Sequence, residues 1–86
     1  MASPSKHRNP VAVAFGAVLR AARMEAGISQ EALGLACEID RTYVSLLERG
    51  ERQPTLSTVF ALSEQLGVAP ESLVARTGKA LRLPGR

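Results

Sequence analysis

The stretch from Ile28 to Glu51, ISQEALGLACEIDRTYVSLLERGE, gathers the side chains whose types and spacing suit recognition chemistry. Arg41 and Arg49, with Arg52 just beyond, bring three guanidiniums into a short span. A guanidinium is a planar fork of donors that matches phosphate oxygens and the acceptor edge of guanine. Thr42 and Ser45 add hydroxyls between the arginines, and Gln30 adds an amide upstream. Catalytic constellations do not emerge from the same inspection. His7 and Cys37 are the single histidine and single cysteine, and they stand far apart. No carboxylate pair falls in an evident cleft, and no glycine-rich phosphate loop is present. The chain therefore reads as a recognition module and not an enzyme. One Cys and one His supply too few ligands for a metal site, and no motif calls for a cofactor or a small-molecule ligand.

Such groups need rigid support, and the apolar spacing predicts it as helices. Phe15, Leu19, Ala22 and Ala26, with Val18 beside them, form a helical stripe over Val11 to Ala26. Gly27 stands where a left-handed cap is wanted. Ser29 is the N-cap of a second helix, with Gln30 and Glu31 in its first turn and Leu33, Ala36 and Cys37 inward. Gly34 costs ~1 kcal/mol inside a helix, so a crossing helix is expected to approach its backbone. Asp40 caps a third helix over Arg41 to Arg49. Val44 and Leu47 face the core there, and Ile39 packs just ahead. Arg41, Thr42, Ser45, Leu46 and Arg49 are left outside, with Tyr43 at the edge. Gly50 and Pro54 end that segment. Thr55 caps a fourth helix to about Leu66, with Leu56, Val59, Leu62 and Leu66 as its stripe and Phe60 on the flank. Pro70 opens a short fifth helix with Leu73 and Val74 as apolar contacts, fading near Thr77.

Length and composition bound the rest. Eighty-six residues make one small domain. A chain of this size buries only about 60% of its unfolded surface, so partnership with a second copy would help it. Apolar residues make up 45% and aromatics 3%, so the core must be aliphatic, which suits packed helices. Residues 1–10, polar with two prolines, read as a flexible arm; 11–77 as the folded domain; 78–86 as a basic tail. Lys6, His7 and Arg8 either reach phosphates or form a solvated tail. The net charge is +3, yet residues 28–72 hold Arg41, Arg49 and Arg52 against seven acids. Charge is thus compatible with a nucleic acid without proving one. A lone thiol cannot form an internal disulfide, which points to a reducing cytoplasm. No apolar run suggests a secretory leader or a membrane span.

Taken together, LRAAR, GISQEALGLACEIDRTYVSLLERGERQPTL and LSEQLGVAPESLV resemble the phage Cro/repressor-type helix-turn-helix family, also called the xenobiotic-response-element family. The resemblance runs from about Phe15 to Val74. It rests on the Ser29-Gln30 start, the Ser45…Glu48-Arg49-Gly50 run, Pro54 and the Leu66-Gly67-Val68 end. It implies an all-α fold, a compact bundle of five helices whose second and third form the DNA-reading unit. By the same resemblance Gln30 matches a position that touches the DNA backbone, and sometimes a base or a residue of the third helix. Arg41, Thr42, Ser45 and Leu46 match positions that reach bases and nearby phosphates. Arg23 and Glu48 match a partly buried ion pair joining the first and third helices. Side-chain chemistry agrees with this. Arg41 can bridge guanine O6 and N7, a contact worth ~1–3 kcal/mol of discrimination. Thr42 and Ser45 can donate to phosphate or read a base edge. Arg49 and Arg52 suit phosphates. Leu46 would meet a thymine methyl if exposed; it and Tyr43 either contact DNA or pack against neighbours.

The resemblance further implies a transcription regulator that binds double-stranded DNA as a homodimer on a near-palindromic operator, with RNA polymerase as a further candidate partner. The fourth and fifth helices are the expected dimer surface, with Leu73, Val74 and Leu81 contributing. Restriction–modification controllers and phage repressors include proteins of this kind. Antitoxins and protein–protein modules use the same fold and form the alternative. One departure stands out. The family often places alanine at the position of Gly34 and glycine at that of Glu38. A left-handed Glu38 would cost ~1–2 kcal/mol unless the turn takes another path.

Overall fold

Four of the five helices begin at a side chain that satisfies free backbone N–H groups, and the fifth begins at a proline, which lacks one. The computed structural model describes residues 9–81, and within them runs α1 (Pro10–Ala26), α2 (Gln30–Cys37), α3 (Arg41–Glu48), α4 (Leu56–Leu66) and α5 (Pro70–Leu81). The all-α expectation holds among the described residues. Asn9 Oδ1 accepts from Val11 N at 2.8 Å and Ala12 N at 3.3 Å, and Pro10 fills the first helical position. Pro10 therefore belongs to α1, with Asn9 as its N-cap. Ser29, Asp40 and Thr55 cap α2, α3 and α4 as their types predict. Gly27 and Gly67, both left-handed, close α1 and α4.

The fifth helix departs from expectation by running on to Leu81 instead of fading near Thr77. Thr77 is buried, and its hydroxyl donates to Leu73 O at 2.8 Å, which supplies the partner that burial demands. Thr and Gly are poor helix formers, so Thr77-Gly78 looks like an end in sequence and is overridden by packing. The basic tail proposed for 78–86 is thus helical as far as Leu81. Its remaining residues, like Lys6, His7 and Arg8, lie outside the described ones.

The core holds Phe15, Val18 and Leu19 of α1, Leu33 of α2, Val44 and Leu47 of α3, Val59, Leu62 and Leu66 of α4 and Leu73 of α5. Ile28, Cys37, Ile39, Tyr43 and Val68 pack against it, partly buried. Three stripe assignments fail: Ala26, Ala36 and Leu56 are exposed, Leu56 by 71%. Each lies at or near a helix end. The core instead admits Ser63, whose hydroxyl donates to Phe60 O at 2.9 Å. α5 packs on α1 and α4, whereas α3 is held by α1 and α2.

The turn between α2 and α3 explains both glycine questions. A Cβ on Gly34 would stand 2.8 Å from Ile39 O and 3.3 Å from Arg41 N. The close neighbour is thus the turn itself and the first residue of α3. Glu38 takes φ 60° and ψ 39°, left-handed, and is the one non-glycine among the described residues with positive φ. Glu38→Gly should release ~1–2 kcal/mol of backbone strain against ~0.4–1 kcal/mol for a looser unfolded chain. The expected net is a gain of about 0.5–1 kcal/mol, read as a rise in the thermal midpoint. A lowered midpoint would mean that the Glu38 side chain itself holds the turn.

Candidate nucleic-acid interface

α3 is positioned from behind. Val44 and Leu47 are completely buried, and Asp40 Oδ1 accepts from Thr42 N at 3.1 Å to fix the first turn. At one hundred degrees per residue, Thr42, Ser45 and Leu46 fall on the arc opposite those two side chains, and Arg41, three residues before Val44, lies on the flank. Arg41 and Thr42 are exposed, while Ser45 and Leu46, one turn on, are half-buried. Tyr43 is half-buried against the core, so its ring is committed to packing at least in part. Arg49 follows the helix end. Its Nη1 lies 3.5 Å from Glu51 Oε2, with both side chains open to solvent. Arg52 is exposed in the following loop. The structure therefore brings together one convex helix face carrying guanidinium and hydroxyl donors, with two further guanidiniums beyond its C-terminal end.

Glu48 ties this face to the rest of the fold. Its side chain is only 3% exposed and that of Arg23 13%. Arg23 Nε donates to Glu48 Oε2 at 2.6 Å and Nη2 to Oε1 at 3.1 Å, a two-pronged contact between α1 and α3. Gln30 Nε2 donates to the same Oε1 at 3.0 Å, and Arg23 Nη1 donates to Ile28 O at 2.9 Å. One carboxylate thus takes three donors, and α1, the start of α2 and the end of α3 meet at it. The hydrogen bond to Glu48 holds the Arg23 guanidinium above its usual range, against the opposing effect of burial. Residue types alone did not show that Arg23 also grips the Ile28 carbonyl, since a main-chain acceptor leaves no sequence signature. The Gln30 amide is half-buried and spends one donor inward, which leaves its other N–H and its oxygen for an outside partner.

Other sequence candidates resolve differently. Leu73 is completely buried and belongs to the core, so it cannot form the dimer surface proposed for it. Its spacing from Pro70 marked an apolar contact without saying whether that contact was internal. Val74 stands 59% exposed and Leu81 is half-buried. Cys37 Sγ lies 3.6 Å from Ala61 O. Burial, with Glu64 adding to it, pushes the thiol up, so it is no ready thiolate. Among the described residues no three His, Cys, Asp or Glu side chains come together as a metal site, and no helix is long and apolar enough to cross a membrane.

Comparison with known proteins places this geometry. The helix-turn-helix family model matches residues 19–73. Control protein C.BamHI of Bacillus amyloliquefaciens is 37% identical over 67 residues, spanning 77% of this chain and 83% of its own. The HTH-type transcriptional regulator y4dJ of Sinorhizobium fredii is 40% identical over 55 residues, 64% of this chain and 71% of its own. Among solved structures, the restriction-modification controller protein C.AhdI of Aeromonas hydrophila superposes with a TM-score of 0.70 at 39% identity, covering 72% of this chain and 94% of that one. The clp gene regulator ClgR of Corynebacterium glutamicum shares the fold, with a TM-score of 0.82 at 23% identity over 87% of this chain and 80% of its own. The chain belongs to the helix-turn-helix family and is a DNA-binding transcriptional regulator of the xenobiotic-response-element type.

Proposed function

We propose that this protein binds a near-palindromic operator as a homodimer, with α3 of each copy in the major groove, and acts as a controller of the restriction–modification kind. The observation that carries this is the division of labour on α3: Val44, Leu47 and Glu48 anchor it, while Arg41 and Thr42 are exposed and Ser45 and Leu46 keep part of their surface open. The relatives named as control proteins favour a controller over a phage repressor. Arg41 reads a guanine, Thr42 and Ser45 contact a base edge or phosphate, and the half-buried Leu46 offers the edge of its side chain to a thymine methyl. Gln30, Arg49 and Arg52 hold the phosphates, and Tyr43 braces the face from its edge. Two copies place their third helices about one DNA turn, ~34 Å, apart. The protein works in the cytoplasm without catalysis of its own. Its further partner is RNA polymerase at the promoter that the operator overlaps.

Selection of bound sites from a random duplex pool at several protein concentrations tests the reading. An inverted repeat with half-sites about one turn apart is the expected result. Recovery of no sequence from folded protein would move the weight to a protein–protein module. Single substitutions then sort the contacts. Arg41→Ala should cost ~1–3 kcal/mol at one base-pair position and leave the others unchanged. Arg52→Ala should weaken all sequences alike and lower the salt slope by about 1. Equal weakening by Arg41→Ala, or an unchanged slope with Arg52→Ala, would remove that residue from its role.

A further inference from the structure

The turn after α3 sets an acid beside one of the bases assigned to phosphate. Arg49 follows α3 directly, and Glu51 stands two residues on, across the left-handed Gly50. Main-chain bonds fix all three. Arg49 N donates to Ser45 O at 3.0 Å, Gly50 N to Leu47 O at 3.1 Å and Glu51 N to Leu46 O at 3.0 Å. Gly50 is buried, and a Cβ on it would stand 2.8 Å from Val13 Cα, so the turn is also pressed against α1. The Glu51 carboxylate is therefore held where it meets Arg49, its Oε2 lying 3.5 Å from Nη1. The Glu51 side chain is 34% exposed and that of Arg49 57%, so the arginine has the more room to turn toward another anion.

We infer that Glu51 competes with DNA phosphate for the Arg49 guanidinium and so sets how much better an operator binds than a random duplex. The inference rests on the phosphate role proposed for Arg49. A guanidinium already met by a carboxylate neutralises less phosphate charge and releases fewer counterions. On a random duplex the protein docks loosely, and phosphate does not draw Arg49 from Glu51. On an operator α3 is seated in the groove, a phosphate stands at a set distance, and Arg49 changes partner. An unmatched sequence thus forgoes a contact that a matched one makes. Discrimination of this kind acts against the wrong partner more than for the right one.

A carboxylate near DNA also repels phosphate without touching an arginine. A double-mutant cycle with Arg49 separates the two accounts. Glu51→Gln keeps the side-chain length, and the main-chain bond to Leu46 O does not involve the side chain, so the turn is retained. Fluorescence-anisotropy titrations over a salt series, on the selected operator and on random duplex, give the readout. Glu51→Gln should tighten binding to random duplex on the order of two- to fivefold at low salt, the span of a surface ion pair. The salt slope on random duplex should steepen by about 1, as one more phosphate is neutralised, while the slope on the operator stays as it was. Neither change should appear in an Arg49→Ala background. An unchanged affinity for random duplex, a slope that steepens equally on both duplexes, or a gain that survives Arg49→Ala overturns the competition. Arg49→Ala that leaves the operator's salt slope unchanged overturns instead the phosphate role on which the competition rests.

Discussion

Gly16→Ala should lower the thermal midpoint by on the order of 10–20 °C, although alanine is the better helix former by ~1 kcal/mol. Gly16 is buried in the middle of α1, where α1 crosses the end of α3. A Cβ there would lie 2.6 Å from Glu48 O and closer still to Leu47 O. Both obstacles are main-chain oxygens and have no rotamer to escape into. Relief requires α1 and α3 to separate by more than a few tenths of an ångström. Overpacking of this kind costs ~1–3 kcal/mol, occasionally more, and a backbone obstacle puts it at the upper end. The movement also stretches the Arg23–Glu48 contact, which spans the same crossing. A circular-dichroism melt decides the matter. A midpoint raised by alanine's propensity would show that the two helices can part at little cost.

Glu48→Ala is the second large effect, expected at about 3 kcal/mol, the lower end of the range for a broken buried pair because Arg23 keeps some solvent. Three donors lose their acceptor at once: Arg23 Nε, Arg23 Nη2 and Gln30 Nε2. The loss should show as a midpoint lower by on the order of 10–20 °C in a domain of this size. Replacing both partners with apolar side chains, Arg23→Met with Glu48→Leu, should cost less than Glu48→Ala alone, because no unpaired charge is left behind. A double variant less stable than the single would show that the hydrogen bonds to Ile28 O and Gln30, rather than charge burial, are what the site requires.

Much of this was legible in residue types. Ser29, Asp40 and Thr55 mark three helix starts because a short polar side chain there accepts from the first turn, a local rule that needs no tertiary knowledge. Val44 and Leu47 mark the inner side of α3 by spacing alone. What spacing cannot show is which neighbour an apolar residue meets. Leu73 and Val74 are adjacent and look alike in sequence, yet one is sealed in the core and the other faces outward. The extension of α5 past Thr77 was hidden for a related reason, since burial of that hydroxyl against Leu73 O is a tertiary fact. The departures at Gly34 and Glu38 were visible as an exchange of residue types. Their meaning came only with the turn's path, in which the chain accepts a left-handed glutamate and presses its backbone against Gly34.

α3 gives two completely buried side chains, Val44 and Leu47, to the core, and its helix start is fixed by Asp40 from outside the helix. In evolutionary terms this makes recognition cheap to change. On the proposed reading, mutations at the exposed Arg41 and Thr42 or at the half-buried Ser45 alter what the helix presents while Val44 and Leu47 keep their core contacts, so a lineage can drift to a new operator while its folding stays nearly constant. The same separation marks those three positions as the place to randomise when new sequence preferences are sought, with Glu48, Gly16 and Gly34 held fixed.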